Sequence, residues 1–122
     1  MNRHDYRVKV VVSVYQHLLL EKDLIECYDG NIDDDLSGFT RTIIDDLTVN
    51  TRTYINRIEP LLKRWTFDRL SFIDQAILIE ACSEFYTKTN SKNIIIDEAI
   101  RIAKEYSDEE SYKYINGVLD RL

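Results

Sequence analysis

The segment between Leu70 and Phe85 constrains the fold of this 122-residue chain more than any other, because apolar residues cover almost the whole circumference of the helix it would form. The apolar positions are Ile73, Ala76, Ile77, Leu78, Ile79, Ala81, Cys82 and Phe85. A helix that is apolar on nearly every side is stable in water only when other elements surround it. The sequence therefore predicts a buried central helix, and the rest of the chain must supply its cover.

Amphipathic helices on both sides of this segment are predicted to provide that cover. Apolar residues recur at helical spacing in residues 8–19, 36–62, 96–103 and 115–122. Only one proline and three glycines occur in the chain, which favours helices over a turn-rich β fold. The run VKVVVSVY has a strand-like composition, so a β alternative stays open there. We expect an all-α fold of about six or seven helices, in one domain over residues 1–122.

The first and third helices carry the most specific packing predictions. The apolar stripe expected for the first helix is Val8, Val11, Val12, Tyr15, Leu18 and Leu19. The long helix that follows is expected to start near Leu36, with a possible bend at Gly38 or Asn50, and to be interrupted at Pro60.

The charge of the chain limits the kinds of partner it can have. Its formal net charge is −6, from 16 Lys and Arg against 22 Asp and Glu, which argues against coating nucleic acid by charge alone. Any nucleic-acid contact is therefore expected to be local, and the first nine residues are locally basic. The chain shows no long apolar run and no leader peptide, so we expect a cytoplasmic protein without a membrane segment.

Metal, redox and catalytic functions find little support in the sequence. Cys27 and Cys82 lack metal-site spacing and are expected to be free thiols. The stretch DGNIDD begins like a calcium loop, but Asp34 stands where a glycine is needed and Thr40 where a glutamate should close the site. Neither histidine is accompanied by a recognisable nucleophile and orienting group. We therefore predict no metal, no cofactor and no catalytic residue.

A glycine inside the last predicted helix indicates an exposed surface. Gly117 lies about 160° round the helix from Ile115, which belongs to the apolar stripe. The same side of the helix carries Glu110, Lys113, Tyr114 and Arg121. A glycine costs a helix roughly 1 kcal/mol relative to alanine. Two interpretations are open: a ligand approaches the backbone closely at Gly117, or another helix packs against it.

Two linked motifs resemble the NusB family of bacterial transcription antitermination factors. They are DRLSFIDQAILIEACSEF and IIIDEAIRIAKEYSDEESYKYINGVLD, and the likeness covers about residues 66–120, with a weaker match at VSVYQHLL. The resemblance implies a NusB-like fold of two small helical bundles and a non-enzymatic function in transcription antitermination. It also implies three partners: boxA-type single-stranded RNA of nascent ribosomal RNA transcripts, the ribosomal protein NusE, and the RNA polymerase antitermination complex.

The same resemblance assigns functional residues. Its RNA-contacting side corresponds to Glu110, Ser111, Lys113, Tyr114 and Gly117. The basic N-terminal arm of the family shrinks here to MNRHDYRVK, so Arg3, Arg7 and Lys9 become the expected phosphate contacts. Tyr15 matches a family aromatic near the RNA side, but it also falls in the apolar stripe of the first helix, so core packing is an equally open interpretation.

Two further residues leave alternatives open. Asp74 matches an acidic family position near the NusE interface, and it is otherwise a solvated charge at the start of a helix. Trp65, just before that helix, is interpreted either as a core residue or as an interface anchor. An RNA-binding antitermination factor is the favoured function, and a NusB-like protein adaptor that has lost most RNA binding is the alternative. A homodimer is possible in either case.

Overall fold

The computed structural model describes all residues 1–122 and consists of six α-helices and three short 3-10 turns, with no strand. The helices are α1 (Arg3–Leu20), α2 (Leu24–Cys27), α3 (Phe39–Ile58), α4 (Phe72–Thr87), α5 (Lys92–Tyr106) and α6 (Ser111–Asp120). The 3-10 turns are Ile32–Asp34, Glu59–Leu61 and Phe67–Arg69. The predicted all-α class and helix number are confirmed. The β alternative for VKVVVSVY is wrong, because this run lies inside α1.

The central helix of the fold is α4, as the sequence predicts. Every residue from Asp74 to Glu84 is buried. α4 packs against α1, α3, α5 and α6, so neighbours cover it on all sides. Its nearly complete apolar circumference leaves no face suited to water, which is the physical reason for this position.

The helices form two groups that share one hydrophobic core. α1, α2 and α3 pack on one another, and α4, α5 and α6 do the same. The two groups meet where α4 lies against α1 and α3. A single cluster of 27 buried apolar residues runs through both groups. None of the helices has the length and apolar character that a membrane span needs.

The buried face of α1 differs from the predicted stripe. Val12 and Leu19 are exposed, whereas Val10 and Val14 are buried together with the polar residues Arg7 and Ser13. The spacing of apolar residues cannot predict which face of α1 is buried, because one residue of that face is the charged Arg7. Arg7 is buried because it forms an ion pair with a residue of α4, described below. The stripe expected for α1 is therefore wrong by part of a turn.

The acidic turn before α3 caps that helix. The Asp35 carboxylate accepts hydrogen bonds from the backbone N–H and the hydroxyl of Thr40, both at 2.9 Å. This satisfies one of the free N–H groups at the helix start. Gly38 supplies the left-handed backbone conformation (φ 77°) immediately before the helix, which leaves Leu36 outside it and 96% exposed. The predicted start of this helix at Leu36 is therefore wrong.

No group of three or more His, Cys, Asp or Glu side chains is arranged to hold a metal ion. In the calcium-like stretch, Asp33 pairs with Arg41 at 2.7 Å. Cys27 and Cys82 are both free thiols, which confirms the expectation for them, and burial raises the pKa of Cys82 to about 12.

Candidate functional site

A cavity of about 490 Å³ opens between α6, the start of α4 and the connection that joins α3 to α4. We call it the α6 groove. One wall consists of the α6 residues Ser111, Tyr114, Gly117 and Val118, followed by Arg121. The opposite wall is formed by residues 61–65 and 69–71, and Asp74 of α4 lies between the two walls. Three residues that the sequence assigned to RNA, and the one assigned to NusE, are thus brought together in one groove.

Gly117 exposes helix backbone to this groove. A Cβ atom built on Gly117 meets no other atom within 4 Å, so no neighbouring helix packs against the glycine. The packing interpretation of Gly117 is therefore wrong. The open backbone fits the other interpretation, in which a ligand approaches closely.

Asp74 positions side chains of the α6 wall through hydrogen bonds. Its carboxylate accepts three hydroxyl hydrogen bonds, and the donors are Ser107, Ser111 (3.0 Å) and Tyr114. Asp74 is only 4% exposed. It belongs to the first turn of α4, where the helix dipole favours a negative charge. The expectation that Asp74 is a solvated or docking charge is corrected here, because its oxygens point to hydroxyl groups of its own chain.

Tyr114 is held more firmly than helix-wheel reasoning suggests. The ring is half-buried and packs against the hydrophobic core, and its hydroxyl donates to Asp74. Burial, together with this hydrogen bond, raises the pKa of Tyr114 far above its ordinary value, so the hydroxyl stays protonated and remains a donor. Tyr114 still lines the groove, but its ring is not a free stacking platform.

The α6 groove is positively charged in an otherwise acidic protein. Four exposed cations line it, and they are Lys63, Arg64, Arg69 and Arg121. None of these four groove cations forms a salt bridge. The carboxylates in the lining are Asp74, which is engaged by hydroxyls, and Asp108. The local balance of four cations to two carboxylates favours an anionic ligand.

Helical periodicity does not identify three of these cations, Lys63, Arg64 and Arg69, and it leaves the role of Trp65 undecided. Lys63, Arg64 and Trp65 are consecutive in a connection that follows Pro60, and this cluster of basic and aromatic residues outside a helix was the available signal. Trp65 is 59% exposed and lines the groove. The interpretation of Trp65 as a core residue is therefore wrong.

Arg7 is not available to a phosphate. Its guanidinium donates to both carboxylate oxygens of Glu84, from Nε at 2.6 Å and from Nη2 at 2.8 Å, and the side chain is 2% exposed. Burial alone would destabilise both charges, but the mutual hydrogen bonds keep the pKa of Arg7 raised and that of Glu84 lowered. The expectation that Arg7 contacts RNA is wrong, because the residue is a buried structural partner of α4.

The other residues assigned to RNA lie outside the groove lining. Arg3 stacks over the Phe39 ring at 4.5 Å, and Lys9 over the Tyr28 ring at 4.9 Å. Tyr15 is partly buried and packs against the core, in agreement with its alternative interpretation. Exposed Lys113 of α6 pairs with Glu110, which immediately precedes the helix, at 2.6 Å. The N-terminal cations and the α6 groove are thus separate features of the surface.

The fold and groove define a class of protein: a small all-helical domain with a basic, partly aromatic groove on its surface. A family model described as the NusB family matches residues 2–122. The chain belongs to the NusB family.

Individual relatives agree with this membership. Transcription antitermination protein NusB of Listeria welshimeri is 32% identical over 120 residues, which cover 98% of this chain and 94% of the relative. The protein of the same name from Finegoldia magna is 31% identical over 125 residues, covering 98% and 91% of the two chains. These relatives are named as antitermination proteins and not as enzymes, in agreement with the non-enzymatic function that the resemblance implies.

Solved structures show the same fold. T. maritima NusB matches with a TM-score of 0.79 and 30% identity, over 99% of this chain and 89% of that one. A chain in the crystal structure of antitermination factors NusB and NusE in complex with dsRNA matches with a TM-score of 0.77. This second match has 20% identity, over 99% of this chain and 96% of that one, and it bears on the fold alone. The NusB-like architecture predicted from the motifs is therefore confirmed.

Proposed function

We propose that this protein is a non-enzymatic transcription antitermination factor, which binds boxA-type single-stranded RNA of nascent ribosomal RNA transcripts together with the ribosomal protein NusE. The observation that carries the RNA part is the α6 groove, where unpaired cations and aromatic side chains surround an exposed stretch of helix backbone. Family membership carries the antitermination part.

The chemistry of the groove suits a single RNA strand. Proteins bind single strands by combining a positive groove, which follows the phosphates, with aromatic rings on which bases stack. The open backbone at Gly117 lets a strand come close to α6, and Ser111 and Tyr114 are fixed beside it by Asp74. Lys113 in α6 and Glu110 just before that helix lie outside the groove lining and are proposed to meet the strand as it leaves the groove.

Arg3 and Lys9 are proposed as secondary phosphate contacts. Each contacts an aromatic ring, is partly exposed and forms no salt bridge, so each retains its electrostatic attraction for RNA. Tyr15 is proposed to support this end of α1 from within the packed face, since the ring is partly buried.

NusE is proposed as the protein partner and the RNA polymerase antitermination complex as the assembly in which the protein acts, in the cytoplasm. Family membership supports these partners. The structural neighbour that was crystallised with NusE and dsRNA is the reason for including NusE in the binding test. Asp74 is not proposed as a direct contact. If it affects NusE binding, it does so through the position of Ser111 and Tyr114.

A titration with labelled boxA-type RNA tests this function. Fluorescence anisotropy would be measured with the protein alone, with NusE alone and with both, against an RNA of the same composition in scrambled order. We expect the tightest binding with both proteins and a preference for the boxA-type sequence. A protein that binds NusE but leaves RNA binding unchanged would instead be the adaptor, the alternative function. Sedimentation of the protein at several protein concentrations, in the presence of the RNA, would show whether formation of a homodimer competes with RNA binding.

A further inference from the structure

We propose that the connection between α3 and α4 forms half of the RNA site, with the Trp65 ring stacking on one unpaired base and the groove cations holding the phosphates on either side of it. This inference rests on the proposed function, and it goes beyond it by moving the stacking platform from α6 to the opposite wall of the groove. The observation that supports this proposal is that Trp65 and four cations without salt bridges line the same cavity.

Trp65 is better suited to stacking than Tyr114. Trp65 is 59% exposed, whereas Tyr114 is half-buried and its hydroxyl donates a hydrogen bond to Asp74. A base must reach the face of a ring to stack on it, so an exposed indole meets this requirement and a half-buried phenol meets it poorly. Indole also has the largest aromatic surface of any side chain, which increases the gain from stacking.

The positive charge of the groove favours RNA as its ligand over a basic protein. Lys63 and Arg64 immediately precede Trp65, and Arg69 lies on the same connection, so charges flank the ring along the chain. Arg121 adds a fourth charge from the α6 side. A basic ribosomal protein would be repelled by this set, whereas a phosphate backbone is attracted. The only competing charges are the two lining carboxylates, of which Asp74 is buried.

The arrangement further selects a single strand over a duplex. Bases in an RNA duplex are stacked on their neighbours and their faces are inaccessible, so only an unpaired base can lie against Trp65. The cavity of about 490 Å³ is within the ~300–1,000 Å³ typical of pockets that hold small ligands, which is sufficient for one base.

The test uses the fact that Trp65 is the single tryptophan of the chain. Its intrinsic fluorescence would be followed while the full-length protein is titrated with boxA-type RNA, with the same RNA annealed to its complement, and with NusE alone. RNA binding would be measured separately by anisotropy of labelled RNA. We expect quenching by the single strand, little change with the duplex and none with NusE alone.

Matched variants complete the test. Trp65→Ala should weaken binding about 5- to 150-fold, the equivalent of ~1–3 kcal/mol per stacked base, and Trp65→Phe should restore part of it. Arg64→Gln with Arg69→Gln should reduce the slope of log K against log salt by about 1 to 2. Arg52→Gln is the control, since Arg52 is an exposed α3 residue outside the groove and without a salt bridge. Circular dichroism would verify that each variant is folded.

Three results would overturn the proposal. If RNA binds but leaves the fluorescence unchanged and Trp65→Ala binds as tightly as the parent, the platform lies elsewhere while the proposed function stands. If NusE alone changes the fluorescence and RNA does not, the connection is a protein interface. If boxA-type RNA fails to bind in the anisotropy measurement even with NusE, the proposed function and this inference both fail.

Discussion

The hydroxyl of Tyr114 donates a hydrogen bond to the carboxylate of Asp74, and this contact joins the middle of α6 to the first turn of α4, 40 residues earlier in the chain. Together with Ser107 and Ser111, it surrounds a buried negative charge with hydroxyl donors and no cation. A buried carboxylate needs such donors to offset its lost hydration. The α6 wall of the groove is therefore positioned by a polar contact inside the protein.

Removing this contact should lower stability without removing the ring. We expect Tyr114→Phe to reduce the free energy of unfolding by ~1.5–3 kcal/mol, the range for a hydrogen bond to a charged group. Urea denaturation followed by circular dichroism would measure it. Tyr112→Phe is the matched control, because Tyr112 is also a partly buried tyrosine of α6 but its hydroxyl makes no side-chain hydrogen bond. Equal losses in the two variants would contradict this account of Asp74.

The buried pair of Arg7 and Glu84 should be essential to stability. Removing one partner leaves a buried charge uncompensated, so Arg7→Gln is expected to cost ~3–5 kcal/mol in the free energy of unfolding. Arg3→Gln serves as control, since Arg3 makes a cation–π contact and no salt bridge. Urea denaturation of both variants gives the comparison. An Arg7→Gln protein of unchanged stability and weakened RNA binding would return Arg7 to the phosphate contacts.

Stability should depend on pH through Glu80. Burial and the adjacent negative charge of Glu84 raise the pKa of Glu80 well above its ordinary value of 4.5, and its Oε2 atom has no hydrogen-bond partner. The other charges that face it are Arg7, which lowers the pKa, and Glu98, which raises it. Above pH 4.5 the folded protein therefore holds a proton that the unfolded chain has lost.

The sign of the effect follows from that proton. The contribution of Glu80 to stability is fully present below pH 4.5 and is lost as the pH rises through the raised pKa of the folded state. Glu80→Gln imitates the protonated acid, so we expect the variant to gain stability relative to the parent between about pH 5 and about pH 8. Urea denaturation at both pH values measures this difference. A constant difference between variant and parent would show that the pKa of Glu80 is not raised in the folded protein.

Gly117→Ala should separate the stability of α6 from its function. Because an added Cβ meets nothing within 4 Å, alanine is expected to stabilise the helix by roughly 1 kcal/mol. Its methyl group would narrow the α6 groove, so RNA binding measured by anisotropy should weaken. Asn116→Ala is the control, since the same helix gains alanine at a position outside the groove lining. If both variants bind RNA like the parent, no strand approaches the backbone at Gly117.

Residues whose environment follows from local pattern could be predicted from the sequence. The central position of α4 follows from its own composition, because a helix with apolar residues on all sides has one stable environment. The family motifs likewise consist of residues that lie close together in the sequence. For such features, the spacing of side chains along the chain already contains the physical information.

Features that depend on contacts between distant segments required the structure. Arg7 and Asp74 look like surface charges in the sequence, yet Arg7 meets Glu84 across 77 positions and Asp74 meets Ser111 across 37. The α6 groove joins the connection before α4 to the last helix, which no periodicity relates. The reason is energetic: burial of a charge becomes favourable only when a partner of suitable geometry is present, and helix packing alone brings that partner within reach.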